Sequence, residues 1–135
     1  MRLGLLSVLC LALTACATSY HPVDTQGGYA EKRLSDELYQ VSFRANSYTP
    51  EDRIAAYLLY RAAEIAKREG AVGFIVHRER VAASISKPRL RPTDERVAVI
   101  TIQILSEMAT GTPPQEVYQA DEILMRLRRD LPDLP

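Results

Sequence analysis

From residue 39 to 45 the side chains alternate. Tyr39, Val41 and Phe43 fall on one face, and Gln40, Ser42 and Arg44 on the other. A period of two marks a strand with one buried face. The stronger example runs over residues 96–106, where Ala98, Ile100, Ile102 and Ile104 alternate with Val99, Thr101 and Gln103. Residues 29–34 predict a strand ahead of the first one, with Ser35-Asp36 as the turn of a hairpin. Residues 72–81 begin apolar and become polar, which predicts another strand. Residues 82–95 then hold Pro88 and Pro92 and read as a long exposed loop.

The period changes to that of a helix after Thr49. Thr49 is placed to cap, Pro50 fits the first helical position, and Glu51 and Asp52 suit the positive end of the helix dipole. Ile54, Leu58, Ala62, Ile65 and Ala66 share a face that Tyr57, Leu59 and Tyr60 widen. Gly70 is the expected stop. A last helix is expected to open at residues 111–115, with Thr112 and Gln115 as a capping box. Its stripe of Val117, Ala120, Leu124, Leu127 and Leu131 suits packing on the domain, with a partner helix as the alternative. Two strands, a helix, two strands and a helix predict a two-layer α+β fold. Its sheet is largely antiparallel, in ββαββ order, with a C-terminal helix.

The first 15 residues stand apart. Arg2 precedes 11 apolar or small residues, Leu3 to Leu13. That is short of the roughly 20 that span a bilayer, so the segment reads as a signal peptide. Leu13-Thr14-Ala15-Cys16 resembles the lipobox of bacterial lipoproteins, with a large apolar residue, two small ones and the cysteine that is acylated. Cys16 is the expected lipidation site, and two or three acyl chains anchor stably where one does not. Ala17 in place of an acidic residue resembles the default signal for the outer membrane, facing the periplasm. Residues 16–28 are small, polar and Pro/Gly-containing. They predict a lipidated cysteine followed by a flexible tether of about 40 Å when extended. Residues 29–135 then form a single domain of ordinary size.

Basic and acidic residues balance at 17 each and are mixed along the chain, so no face is expected for nucleic acid. With Cys10 in the leader and Cys16 acylated, the mature domain has no thiol nucleophile or disulfide. His21 and His77 are the two histidines, too few for an expected metal site. No G-x-S-x-G elbow or phosphate loop occurs, and a Ser-His-Asp triad would have to use His77. Glu51/Asp52 and Asp94/Glu95 fit capping and loop solvation better than paired-carboxylate catalysis. Lys87, Arg89 and Arg91 fit a solvated loop, with contact to anionic headgroups as the alternative. Tyr57 and Tyr60 fit core packing rather than ligand stacking.

Several blocks resemble a known family. They are Gly28-Tyr29-x-Glu31-x-Arg33-Leu34, then Tyr39-x-Val41-Ser42-Phe43-Arg44-x-Asn46, then Thr49, then the run from Tyr57 to Glu64. Together they resemble short gram-negative lipoproteins without an assigned function. The resemblance implies a lipid anchor, an envelope location and an α+β domain, and it supplies no catalytic residues. One pair of residues adds a candidate site. Arg44 and Asn46 leave the second strand just before a helix N-terminus, where anions are favoured. The plain alternative is that Arg44 pairs with an acid such as Glu64 and that Asn46 shapes a turn. The expectation is a non-enzymatic interaction or structural module held on a bilayer through Cys16, with an envelope protein as partner and no cofactor. A small-molecule or anion binder is the alternative, and an envelope hydrolase a weaker one.

Overall fold

The computed structural model describes residues 17–77, 95–107 and 116–135. Strands β1 (Gly28–Arg33) and β2 (Leu38–Ala45) form the expected hairpin, with Gly28 opposite Arg44 and Arg33 opposite Tyr39. Tyr39, Val41, Phe43 and Ala45 point inward and are buried. Helix α1 (Glu51–Arg68) follows, then β3 (Gly73–His77), β4 (Arg96–Leu105), β5 (Val117–Gln119) and helix α2 (Ala120–Asp130). The sheet order is β1-β2-β4-β3-β5, with every neighbouring pair antiparallel. Strand β4 is thus inserted between β2 and β3, the two strands that α1 connects. The fold is α+β, with the helices on one face of the sheet.

Helix α1 ends as its sequence dictates. Gly70 takes a left-handed φ of +74°. Its N–H donates to Lys67 O at 3.1 Å, and the Ala71 N–H reaches Ala66 O at 2.8 Å. These two bonds satisfy carbonyls that the last turn leaves open. The buried face of α1 holds Ile54, Tyr57, Leu58, Tyr60 and Ile65, with Ala62, Ala63 and Ala66 wholly enclosed. Small residues there let neighbours approach closely. Helix α2 packs on the domain against α1 through Ala120, Ile123 and Leu127.

Three local expectations are corrected. Pro50, with φ −60° and ψ 148°, is the residue before the helix rather than its first position, and no side chain caps α1. The Thr49 hydroxyl is used elsewhere, as described below. The last helix begins at Ala120, and Val117 to Gln119 pair with β3 instead. The open edge of β3 needs hydrogen-bond partners, and the β-forming pair Val117-Tyr118 supplies them. Tyr118 also stacks on Phe74 at 5.3 Å. The expected cap at Thr112 and Gln115 lies outside the described residues, as does the loop with Lys87, Arg89 and Arg91.

The third correction concerns the tether. Residues 18–28 lie against the domain: Thr18, Tyr20, Gly27 and Gly28 are buried. The polar composition is genuine, but Tyr20 is a large apolar body that the sheet and α1 enclose.

Candidate functional site

The N-terminal segment is held by a closed ring of hydrogen bonds. The Thr18 N–H donates to Thr49 Oγ1 at 2.9 Å, the Thr49 hydroxyl to Asn46 Oδ1 at 3.0 Å, and the Asn46 N–H to Thr18 Oγ1 at 3.0 Å. Thr49 is fully buried and Thr18 nearly so. Three side chains in contact across the loop before α1 thereby satisfy one another, which a buried polar group requires. Farther along, the Tyr29 N–H bonds His21 O at 2.8 Å and the Val23 N–H bonds Tyr29 O at 2.8 Å. The segment therefore runs beside β1.

Tyr20 is the centre of this packing. Its ring lies 4.6 Å from Tyr29, 5.6 Å from Tyr57 and 5.2 Å from Tyr60. Its hydroxyl donates to Glu64. Glu64 also accepts from Arg61 at 2.8 Å, and Arg61 and Arg68 both reach Glu31 on β1, at 2.9 and 2.7 Å. The Arg61 guanidinium stands 4.3 Å over the Tyr29 ring. Tyr29 and Glu31 of β1 and Tyr57, Tyr60, Arg61, Glu64 and Arg68 of α1 form one cluster in which two arginines balance two glutamates. Burial alone would lower the Arg61 pKa, but the hydrogen bond to Glu64 and the charge of Glu31 raise it above its ordinary value.

Burial, and then hydrogen bonding to a carboxylate, push two phenols well above the usual tyrosine range. They are Tyr20 on Glu64 and Tyr57 on Asp133. The sign follows directly. In the unfolded chain both ionise near pH 10, whereas the folded protein keeps them protonated. The stability they lend is complete below about pH 10 and is lost as the pH climbs toward the folded values. A near-ultraviolet tyrosinate titration, with Tyr20→Phe and Tyr57→Phe as difference controls, should show these two phenols ionising only as the chain unfolds. Tyr20→Phe should make the alkaline loss of stability less steep. Reversible ionisation of Tyr20 and Tyr57 in the folded state would refute this.

The sequence-derived candidates occupy this end of the molecule, but they do not form a cleft together. Asn46 Oδ1 accepts from the Tyr48 N–H at 3.1 Å as well as from Thr49, which is a turn geometry. Arg44 donates to Asp24 O, and its Nε lies 2.9 Å from a Glu95 oxygen. That pairs the two charges without a hydrogen-bonding angle at Nε. Glu64, the acid expected beside Arg44, faces Arg61 and Tyr20 instead. Glu51 and Asp52 already meet the positive end of α1. His77 Nε2 is 3.3 Å from Gln103 Oε1, and the Gln103 amide reaches Glu37 at 3.3 Å. His21 Nδ1 lies 2.8 Å from Pro22 O. Among the described residues no three His, Cys, Asp or Glu side chains cluster as metal ligands, and no helix is long and apolar enough to cross a membrane.

A cleft that sequence reading missed opens between the first half of α1 and the strands β4 and β3. Its volume is about 410 Å³, within the range of roughly 300–1,000 Å³ typical of small-molecule sites. Ile54, Leu58, Leu59, Val76, Ala98 and Ile100 line it, and Glu51 and Arg96 stand at one end. Ala98 and Ile100 point inward as their alternation predicts, yet they are only partly covered because this space lies above them. The signal in the sequence was small residues, Ala55 and Ala98, where bulk would close the gap.

Compared with protein-family models, curated proteins and solved structures, the chain matches none.

Proposed function

We propose that this chain is a non-enzymatic envelope lipoprotein, anchored through acylated Cys16 in the outer membrane and facing the periplasm. Its domain is an interaction module held directly against the bilayer. The observation that carries this reading is the hydrogen bond from the Thr18 N–H to the buried Thr49 hydroxyl at 2.9 Å. Thr18 lies two residues after Cys16, so the backbone of the acylated cysteine can be no more than about 7 Å from a fixed point on the domain. No slack remains for the domain to swing away.

The surface around that point suits a headgroup region. Tyr48 is 56 % exposed and Val97 42 % exposed. Arg44 and Arg96 lie at the same end of the sheet, opposite Val97 and Ala45 in the β2–β4 ladder. Exposed aromatic rings and long cationic side chains are favoured at membrane interfaces.

Nitroxide labels test the orientation. Tyr48→Cys and Ser106→Cys, at opposite ends of the sheet, are labelled in the mature acylated protein on liposomes. The label at 48 should collide mostly with oxygen dissolved in the bilayer, and the label at 106 mostly with a water-soluble nickel chelate. Equal exposure of both to the chelate overturns the proposal, as does an intact mass without lipid on Cys16.

A further inference from the structure

We infer that the cleft between α1 and β4 holds one acyl chain of a bilayer phospholipid, an inference that rests on the membrane-apposed orientation above. The shape is the first argument. From Glu51 to Leu59 the helix wall runs about 12 Å, and the opposite wall is β4 from Arg96 to Ile100. The walls are apolar along that length, and the charged side chains stand together at one end. An apolar cleft whose charged side chains, Glu51 and Arg96, stand together at one end matches an amphiphile rather than a compact polar metabolite.

Position is the second argument. The charged end, with Glu51 and Arg96, is the end of the sheet at which β2 finishes, α1 starts and Thr18 is clamped. A lipid whose headgroup stays at the bilayer surface therefore meets the mouth of the slot. Charge is the third. Arg96 donates to Ser47 O at 2.8 Å and stands 3.8 Å from Glu51, which is almost fully exposed and pairs weakly. A guanidinium has five N–H donors, more than those two contacts with described residues use, and it matches phosphate oxygens in geometry.

The energetics agree. Empty apolar walls are wetted at a cost that rises with their area. A chain that leaves the bilayer for the slot exchanges one apolar surrounding for another, while the walls lose their water. Occupancy is thus favoured by the protein surface rather than by the hydrophobicity of the lipid.

The test has two arms, both with methyl-labelled protein observed by NMR. In the first, mature acylated protein sits in nanodiscs that contain phosphatidylglycerol bearing a nitroxide midway along one acyl chain. The methyls of Leu59 and Val76 should broaden strongly and that of Ile123, on α2, should not. In the second, unacylated Cys16→Ser protein exported through a cleavable signal is titrated with laurate. The same methyls should shift, and Ala55→Trp, which plugs an exposed rim position, should weaken laurate binding by about tenfold or more. Laurate that moves no cleft methyl, or that binds Ala55→Trp equally well, overturns the cleft as an acyl site. Laurate binding with a silent nitroxide arm overturns the bilayer as the source. If the label at residue 48 also reports water, the orientation has failed and the cleft remains a site for free amphiphiles.

Discussion

Tyr20→Ala should destabilise the domain by about 3 kcal/mol or more, the usual range for removing a buried aromatic side chain. Three tyrosine rings surround Tyr20 at 4.6 to 5.6 Å, so its loss leaves a space that no flexible neighbour fills. It also deprives Glu64 of one hydrogen-bond donor, leaving Arg61 to hold it. Tyr20→Phe separates the two effects. It keeps the ring and removes only the hydroxyl, at an expected cost of about 1 kcal/mol. Urea unfolding measures both. The more specific readout is exchange of the Thr18 amide, whose bond to Thr49 should open far more often once Tyr20 no longer pins the segment. On liposomes the label at residue 48 should then gain access to water in Tyr20→Ala and stay shielded in Tyr20→Phe. Wild-type stability and exchange in Tyr20→Ala would show that the segment is not part of the domain.

Gly28→Ala should be as damaging, although it adds a single carbon. Gly28 has φ +112°, a conformation that side chains rarely tolerate. A Cβ there would lie 2.5 Å from His21 O and 2.9 Å from Pro22 O, both backbone atoms. The only relief is to push residues 21–22 off β1, which breaks the bonds to Tyr29. We expect a loss of about 3 kcal/mol, combining strain and lost contacts. Gly70→Ala is the control. Its φ is +74° but nothing lies within 4 Å of the added carbon, so about 1 kcal/mol is expected. Equal losses in the two variants would mean that backbone strain alone explains Gly28 and that the packed segment contributes nothing.

The elements with a strict period were legible without a structure. Residues 39–45 and 96–105 alternate because one face is buried, and both are strands. The run from Ile54 to Ala66 repeats at helical spacing, and Gly70 stops it. What was not legible depended on partners distant in sequence. Tyr20 sits among polar and small residues, and nothing local reveals that Tyr29, Tyr57 and Tyr60 await it. Thr49 precedes a helix and resembles a cap, but Thr18 and Asn46 compete successfully for its hydroxyl. Val117 fits the helical stripe, yet the unpaired edge of β3 takes it into the sheet together with Tyr118. The cleft was least accessible, since a gap is defined by what two elements fail to fill. Arg44 and Asn46 lie on the stretch that leads into α1, where Arg44 pairs with Glu95 and Asn46 shapes a turn.

The edges of the sheet bear on a different property. An unpaired strand edge is a template for another chain, and proteins blunt such edges with proline, charge or short strands. Here Pro22 bridges to Tyr29 and the segment covers the first residues of β1, while Glu31, Lys32 and Arg33 follow along its length. At the other side β5 is three residues long. In the proposed lipid-anchored state, copies confined to one membrane surface would meet in the same orientation and at high local density. Those are the conditions under which edge-to-edge strand pairing would spread. The N-terminal segment would then also blunt the β1 edge against strand pairing between copies, and release of Tyr20 would uncover that edge.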